Sequence, residues 1–375
     1  MINSRFSLFL ILLVSLIFAS GCISQNAPDN SGQTPVNSQK SAQPEASSQP
    51  SQPDLTTETG ISTQTPESQE PAETQETTGV FPLGIYYKIP GKDNPSAVIS
   101  FIGEGFDEKI DVPPSGFDIK DNLIVYSDNQ HSIFVHEKNG NTRAVNVPGL
   151  NFISRPSFSP DKSKVVVQAT EQSTVPENGK GFDIYVINLS DGSSKKISQS
   201  EFNDESPEWF PHSNKIAYSE FSPTTGINIH IYDLYKETDK VLVADGGAIH
   251  LDISNDEKFI LNPQTFTIYS ASDGSLISNL RDSVIRSLRS KGYDIDSRYP
   301  GQANKGTFPL DGSFSPDGSK IVLDGAVTIN GKYGIILFTV DKDGKNFTVL
   351  SELIEINPEF SNNNNYSPLN PLWVS

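Results

Sequence analysis

SFSPDGSKIVL, residues 313–323, is the stretch that decides the fold of this chain. Two short apolar stretches flank a polar turn, in which Pro316 fixes one backbone angle and Gly318 accepts the left-handed conformation that a tight turn requires. The segment therefore predicts a strand, a turn and a second strand. Degraded copies occur at residues 117–126, 157–167, 208–218 and 251–261. The chain is thus built from repeated units.

Each copy is followed by a second hairpin signal. An alternating β-rich stretch, a turn rich in Asp, Asn or Gly, and a short strand occur at residues 132–147, 182–198, 227–243, 266–280 and 333–350. Four strands per unit, with units spaced roughly 40 to 60 residues apart, are typical of β-propeller blades. Because the repeats lack a 3.6-residue apolar period, helical solenoids are excluded. The predicted fold class is all-β.

The first unit has one strand too few. Residues 84–89, 97–103 and 108–112 predict only three strands before the second unit opens at Gly116. The segment PLWVS, residues 371–375, aligns with PEWFP at residues 207–211 and supplies the missing strand. We therefore expect about six blades, closed into a ring by the C-terminal strand, which leaves no open edge at the seam.

The N-terminus has the pattern of an export signal. Arg5 precedes an apolar run, residues 6–18, which is shorter than the ~20 residues of a membrane-spanning helix. Ala19, Ser20 and Gly21 then lead to Cys22, the only cysteine of the chain. The arrangement resembles a prokaryotic lipoprotein signal, which implies a lipid on Cys22 and a membrane-anchored protein facing outside the cytoplasm. An uncleaved apolar anchor and ordinary secretion are the alternatives, and both also export the body.

The predicted domains are a signal peptide at residues 1–21, a tether at residues 22–80 and the propeller at residues 81–375. The tether is rich in Ser, Thr, Gln, Pro and Glu and has no aromatic residue. Such a composition buries too little apolar surface to offset the entropy of ordering, so we expect it to be disordered. A flexible chain of this length reaches on the order of 40 Å.

Charge and cysteine content exclude several kinds of function. The formal net charge is −18, which argues against binding DNA or RNA through phosphates. A single cysteine permits no disulfide within the chain and no Cys-x-x-Cys site for a metal or for redox chemistry. We expect no cofactor.

The repeat SFSPDGSKIVL, with the hairpin that follows it, resembles the repeats of TolB-like β-propellers, which are related to WD-type propellers. The resemblance is best over residues 150–260 and 313–350. It implies a propeller that binds partners through its faces or central channel, and an envelope role in TolB itself. This chain departs from TolB because it has no recognisable α/β domain before the propeller.

The motifs of several enzyme classes are absent from the sequence. No G-x-S-x-G elbow and no H-E-x-x-H motif are present, so we expect no catalysis. The histidines lie in different units without metal-ligand spacing: His131, His136, His212, His230 and His250. His250 and Asp252 lie on a predicted innermost strand, where they are able to face the channel. The turn at residues 341–346 superficially resembles a calcium loop but lacks its later ligands, so a hairpin turn is expected.

One long insertion, residues 281–310, interrupts the repeat. Its start predicts a short helix capped by Asp282 or Ser283, with Val284, Ile285 and Leu288 on one side. The insertion is locally basic in an acidic body, and its cations are the candidate partner-binding residues: Arg281, Arg286, Arg289, Lys291, Arg298 and Lys305. A tolerated surface loop is the alternative. Three N-x-S/T triplets, at Asn188, Asn346 and Asn365, are possible glycosylation sites.

Three functions follow from these features. The first is a surface-tethered, non-catalytic binding module, expected as a monomeric propeller with a protein or small-molecule partner on one face. The second is a TolB-like subunit of an envelope complex. The third is a propeller enzyme that acts on a sugar or lactone, which requires converging polar groups at the channel mouth. A dry, aliphatic channel without carboxylates or histidine would exclude the third.

Overall fold

The structure is a computed structural model that describes residues 81–90, 97–103, 109–113, 116–138, 140–174, 181–222, 224, 226–246, 250–295, 311–355 and 369–374. The predicted signal peptide and tether lie outside these residues. No helix in the described ranges is long and apolar enough to cross a membrane.

The described residues form twenty-five strands and one helix. In chain order they are β1 (Gly84–Pro90), β2 (Ala97–Ile102), β3 (Asp111–Val112), β4 (Phe117–Lys120), β5 (Leu123–Ser127), β6 (Ser132–Glu137), β7 (Thr142–Asn146), β8 (Asn151–Phe158), β9 (Lys164–Thr170), β10 (Asp183–Asn188), β11 (Ser194–Lys196), β12 (Asp204–Trp209), β13 (Lys215–Ser222), β14 (Gly226–Asp233), β15 (Thr238–Val243), β16 (Asp252–Ile253), β17 (Phe259–Asn262), β18 (Thr267–Ser270), β19 (Leu276–Asn279), α1 (Arg281–Ser290), β20 (Gly312–Phe314), β21 (Lys320–Ile329), β22 (Lys332–Asp341), β23 (Thr348–Val349), β24 (Ile354–Glu355) and β25 (Leu372–Val374).

These strands pair into six antiparallel sheets, which we number as blades. Blade 1 has the order β25-β1-β2-β3, and blades 2 to 5 contain β4 to β7, β8 to β11, β12 to β15 and β16 to β19. Blade 6 contains β20 to β23, with β24 added alongside β22. The first strands of neighbouring blades contact one another in the closed cycle β25, β4, β8, β12, β16, β20 and back to β25. The protein is a six-bladed β-propeller.

The closure predicted from PLWVS is confirmed. β25 pairs with β1 in the register Gly84 with Val374, Ile85 with Trp373 and Tyr86 with Leu372. Just before β25, the buried Leu369 accepts a hydrogen bond from the backbone N–H of Lys88 at 2.7 Å. The last strand of the chain therefore completes the first blade.

Apolar side chains of adjacent blades pack against each other to form the core. Between blades 2 and 3, for example, Val125 and Ile133 share a cluster with Val165 and Val167, and all four are buried. Similar clusters lie between blades 1 and 2 and between blades 3 and 4. Burial of this kind contributes about 25 cal/mol per Å² of apolar surface. With no disulfide available, these contacts provide most of the stability.

Two Asp-Gly turns show why glycine is needed in the repeat. Gly192 and Gly274 have φ of 73° and 74°, which disfavours other residues. A Cβ at Gly192 would collide with the carbonyl oxygen of Asn146 in β7, and one at Gly274 with that of Leu242 in β15. The turn of one blade therefore rests against the outermost strand of the preceding blade and covers part of its open edge.

The insertion begins with the predicted helix, but the predicted cap is wrong. The N-cap residue is Leu280 and it makes no side-chain hydrogen bond; the N–H of Arg281 is bound instead by Oδ1 of Asn279, at 3.1 Å. Asp282 lies inside the first turn, where a carboxylate interacts favourably with the helix dipole. Val284 and Leu288 are buried as expected, whereas Ile285 is half-buried. The helix shares its apolar cluster with residues of blades 5 and 6.

Candidate functional site at the mouth of the central channel

One position of the repeat joins the inner strands of neighbouring blades, and we call it the ring position. From blade 2 round to blade 1 it is occupied by Asp118, Ser157, Glu208, Asp252, Ser313 and Leu372. In four of the six blades its side chain accepts a hydrogen bond from a backbone N–H of the next inner strand. The bonds are Phe158 to Asp118 at 2.7 Å, Trp209 to Ser157 at 3.0 Å, Phe314 to Asp252 at 2.7 Å and Trp373 to Ser313 at 2.8 Å.

The other two blades depart from this pattern. Glu208 is longer and turns back, so that its Oε1 accepts a hydrogen bond from the Ser157 hydroxyl at 3.1 Å. Leu372 has no polar side-chain atom. A polar side chain at this position would accept a hydrogen bond from the backbone N–H of Ile119. That N–H donates instead to Oδ1 of Asp118 in the same strand, at 2.7 Å. The junction between blades 1 and 2 therefore lacks the bond that joins most other blades.

Three of the ring positions carry carboxylates whose pKa values are raised. Burial raises the pKa of Asp118 to about 6 and that of Asp252 to about 8. Burial also raises the pKa of Glu208 well above its usual range, and the negative charges of Asp118 and Asp252 add to the effect. Near neutral pH these acids compete for protons, since ionising all of them would place like charges close together.

Two residues before the ring position, each inner strand contributes one residue to the opening of the channel, which we call the channel mouth. These residues are Gly116, Arg155, Ser206, His250, Asp311 and Asn370. Four of the six have left-handed backbones, with φ of 97° at Gly116, 53° at Arg155, 55° at Ser206 and 49° at Asn370. In β8 and β12 the conformation coincides with an irregular register. Because it recurs in four blades, we attribute it to the repeat, although it costs free energy at residues other than glycine.

Polar side chains at the mouth form one connected network. The terminal guanidinium nitrogens of Arg155 lie 2.6 Å and 3.0 Å from Nδ1 and Nε2 of His250, so the guanidinium covers the imidazole. Nδ1 of His250 lies 3.1 Å from Oδ2 of Asp311, and Asn370 donates to the same oxygen. The backbone N–H of Asp311 is bound by Oδ1 of Asp324, whose other oxygen accepts from the N–H of Leu369. Blades 1, 3, 5 and 6 are thereby linked at one point.

The charge state of His250 follows from these neighbours. Burial lowers the pKa of His250 and the positive charge of Arg155 lowers it further, against the opposing effect of Asp311. The imidazole is therefore neutral at pH 7, and a proton on Nδ1 is placed to donate to Asp311, while the Arg155 guanidinium lies over the ring. Burial alone would raise the pKa of Asp311, but His250 and Arg155 bring it below its usual value. His250 is 6% exposed and lies between Arg155 and Asp311.

The cavity at the mouth is small. Its volume is about 80 Å³, and residues of all six blades line it. Sites that enclose a whole small molecule usually measure about 300–1,000 Å³. The cavity accommodates a few waters or the end of one side chain. A larger ligand has to bind on the surface around it.

The channel is neither dry nor aliphatic. His250 and Asp252 both line the mouth cavity, as their place in the repeat predicted. A channel without carboxylates or histidine would have excluded a propeller enzyme, and this channel contains both. Across the part of the chain that the structure describes, no group of three or more His, Cys, Asp or Glu residues is arranged to hold a metal ion.

Residues 281–295, the described part of the basic insertion, do not line the mouth cavity. Arg281 is half-buried, whereas Arg286, Arg289 and Lys291 are exposed on α1 and just after it. Arg298 and Lys305 lie outside the described residues, so four of the six predicted partner-binding residues are placed. Their role in binding stays a prediction.

The remaining candidates occupy ordinary positions in the repeat. Asn188 ends β10 and its Oδ1 binds the backbone N–H and the hydroxyl of Ser190. Asn346 lies in the β22–β23 turn, where its amide donates to Asp341 at 2.6 Å, and residues 341–346 form that turn. Asn365 lies outside the described residues. His230 sits between Asp239 and Glu220 inside blade 4, at 2.9 Å and 3.1 Å.

Sequence reasoning missed Arg155, Asp311 and Asn370. All three occupy the same column of the aligned repeats, two residues before the ring position. The signal was present in that column, which reads Gly, Arg, Ser, His, Asp and Asn from blade 2 round to blade 1. A column that varies among polar residues at an inner strand indicates the channel.

Comparison with known proteins finds similar solved structures of low sequence identity. No family model matches the sequence, and no curated protein matches it either. A crystal structure of TolB from Acinetobacter baumannii is similar with 17% identity and a TM-score of 0.48, over 72% of this chain and 64% of that one. The chain thus spans less than two thirds of that protein. A putative TolB from Agrobacterium tumefaciens gives 13% identity and 0.47, over 72% of this chain and 90% of that one. An oligogalacturonate lyase in complex with manganese gives 12% and 0.37, over 66% of this chain and 86% of that one.

Proposed function

We propose that this protein is a membrane-anchored β-propeller that faces outside the cytoplasm and binds a partner at its channel mouth without catalysis. Two features of the sequence support the location: the lipoprotein-like signal that ends at Cys22 and the low-complexity tether of residues 22–80. The fold supports the role, because a propeller presents one rigid surface built from all its blades.

The network of Arg155, His250, Asp311 and Asn370 is the observation that carries the proposal. It fixes polar groups of four blades around a cavity of about 80 Å³, which is too small to enclose a ligand. The imidazole is buried beneath the Arg155 guanidinium, which argues against acid–base chemistry by His250 there. A surface whose polar groups hold one another in place suits recognition better than turnover.

Replacement of Cys22 by Ser tests the anchor. The wild-type protein is expected in the membrane fraction and in the detergent phase after phase separation. The variant Cys22→Ser should move to the soluble fraction, because the hydroxyl cannot carry the thioether-linked lipid. Ser20→Ala is the matched control, since it keeps a small residue before the cysteine. If Cys22→Ser stays in the membrane, an uncleaved apolar anchor holds the protein instead.

Crosslinking on intact cells tests partner binding. A captured partner is expected with the wild-type chain and lost with Arg155→Ala, which removes the group that covers His250. Tyr235→Ala is the control, because that side chain is 83% exposed and lies in the β14–β15 turn. The thermal transition of each variant shows whether it is folded. Equal capture by all three proteins would place the binding surface elsewhere, and no capture by any of them would contradict the proposal.

The nature of the captured molecule separates the two alternatives. Recovery of a stable complex with other envelope proteins would indicate a subunit role similar to that of TolB. The polar channel, with its carboxylates and histidine, is the one observation that favours an enzyme. Turnover of a sugar or lactone that is lost in Arg155→Ala and kept in Tyr235→Ala would replace binding with catalysis.

A further inference from the structure

Three cations of the insertion make no ion pair with any of the residues that the structure describes. Arg286, Arg289 and Lys291 are exposed, and their side chains make no hydrogen bond or ion pair with any residue that the structure describes. Many exposed lysines elsewhere in the propeller do have carboxylate partners. Examples are Lys195 with Glu237 at 2.5 Å, Lys258 with Asp256 at 2.9 Å and Lys345 with Asp343 at 2.7 Å. The cations of α1 therefore form a distinct surface on this acidic protein.

The helix that carries these cations is firmly attached. Val284 and Leu288 are fully buried against blade 6, in a cluster that includes Phe314 and Ile321. A side chain advances about 100° per residue around a helix. Arg286 and Arg289 consequently lie on the side of α1 opposite the buried residues. Asp282 shares that side, so the exposed surface is basic with one carboxylate at its N-terminal end.

The segment after α1 connects this surface to the channel-mouth side of blade 6. Asp294 exchanges two backbone hydrogen bonds with Thr328, at 2.8 Å and 2.7 Å. Leu323 of β21 pairs with Gly312, the first residue of the inner strand β20. Thr328 lies further along β21, in the part that extends beyond the start of β20 on the side of the channel mouth. Lys291 is three residues before Asp294, so the end of the basic surface that carries Lys291 is the end nearest to the mouth side of blade 6.

We propose that the exposed side of α1, with Arg286 and Arg289, and Lys291 just after the helix bind an acidic segment of the protein partner. The inference rests on the proposed function, because it names the chemistry of a partner at that face. A bilayer of anionic lipid suits the surface less well. Each exposed cation adds only a modest attraction to a charged membrane, and a body with such an excess of carboxylates is repelled by it. A short acidic segment contacts the three cations without approaching the acidic surfaces.

Charge reversal tests this inference. The probe is a labelled, glutamate-rich peptide of about ten residues, added to the full-length, detergent-solubilised protein, with binding followed by fluorescence anisotropy. The triple variant Arg286→Glu, Arg289→Glu and Lys291→Glu should bind about tenfold or more weakly, and the affinity of the wild-type protein should fall between about 50 mM and about 200 mM salt. The matched control reverses Lys195, Lys258 and Lys345, which changes the net charge equally, and should stay within about twofold of the wild type.

The outcomes separate this inference from the proposed function. Equal binding of the peptide by the wild type and the α1 variant would overturn the inference. Binding to vesicles of phosphatidylglycerol and phosphatidylcholine that is weaker for the α1 variant than for the wild type, in place of peptide binding, would overturn it too, because both proteins carry the same lipid anchor. Loss of peptide binding in the α1 variant alone supports it, even if the cellular crosslinking described above captures no partner. In that case the proposed partner binding at the channel mouth is contradicted, whereas binding of acidic segments by the basic surface of α1 is supported. Thermal unfolding of both variants confirms that they are folded.

Discussion

Deletion of residues 369–375 is expected to abolish the cooperative unfolding transition of the propeller at room temperature. The deletion removes β25 and leaves β1 with an unpaired edge. It also removes Leu369, which is fully buried, and Val374, which belongs to the core between blades 1 and 2. Loss of these apolar contacts together with the strand pairing should cost about 5 kcal/mol or more, comparable with the whole stability of an ordinary domain.

Circular dichroism during heating measures this effect, and Ser313→Ala provides the comparison. Ser313 accepts the hydrogen bond from the N–H of Trp373, so its replacement removes one contact of β25 and keeps the strand. The expected loss for Ser313→Ala is about 1 kcal/mol. If the truncated protein melts within a few degrees of the wild type, the ring does not depend on β25.

The second large effect is expected in the pH dependence of stability. Asp252 has a folded-state pKa of about 8, above the value of 3.8 that it has when unfolded. A carboxyl with a raised pKa stabilises the fold fully below its unfolded pKa, and that contribution is lost as the pH rises towards the folded pKa. Asp252→Asn keeps an oxygen for the N–H of Phe314 and removes the charge. Its stability relative to the wild type should therefore increase between pH 4 and pH 8.

The slope of that increase is at most about 1.4 kcal/mol per pH unit. Asp252 is partly exposed at the channel mouth, where solvent screens its charge, so a total on the order of 3 kcal/mol is expected. Urea unfolding of both proteins at several pH values gives the difference. Asp317→Asn is the control: hydrogen bonds from Ser315 and Ser319 lower the pKa of Asp317 to about 2, so its contribution is lost only as the pH falls below 4. A constant difference between pH 4 and pH 8 for Asp252→Asn would contradict the assignment of the raised pKa.

The repeats predicted the fold because the turn residues, the number of copies and the truncated last copy all indicate the same structure. The Pro-Asp-Gly turn at residues 316–318 determines a hairpin, its copies determine the number of blades, and the truncated copy at residues 371–375 determines the closure. These are local signals, and their spacing along the chain is enough to order the blades. The cap of α1 was mispredicted because Asp282 and Ser283 are both good capping residues, whereas the helix begins two to three residues earlier, after the buried Leu280.

The mouth network was much harder to predict. Arg155 and His250 are 95 residues apart, and they meet only because blades 3 and 5, on either side of blade 4, both reach the narrow channel. The diameter of that channel depends on how all six sheets pack, which no single repeat specifies. The left-handed backbone at Arg155, Ser206 and Asn370 was equally hard to predict from the sequence, since none of these residue types indicates that conformation as glycine does.

The use of β25 to complete blade 1 has a consequence for biosynthesis. About 280 residues separate the end of β1 from the start of β25. At the usual pace of 5–20 residues per second, the ribosome needs roughly 15 to 60 s to make them. Throughout that time the edge of β1 has no partner and is able to pair with a strand of another nascent chain. For this protein the interval between the first and the last blade strand is therefore the period of greatest risk of aggregation.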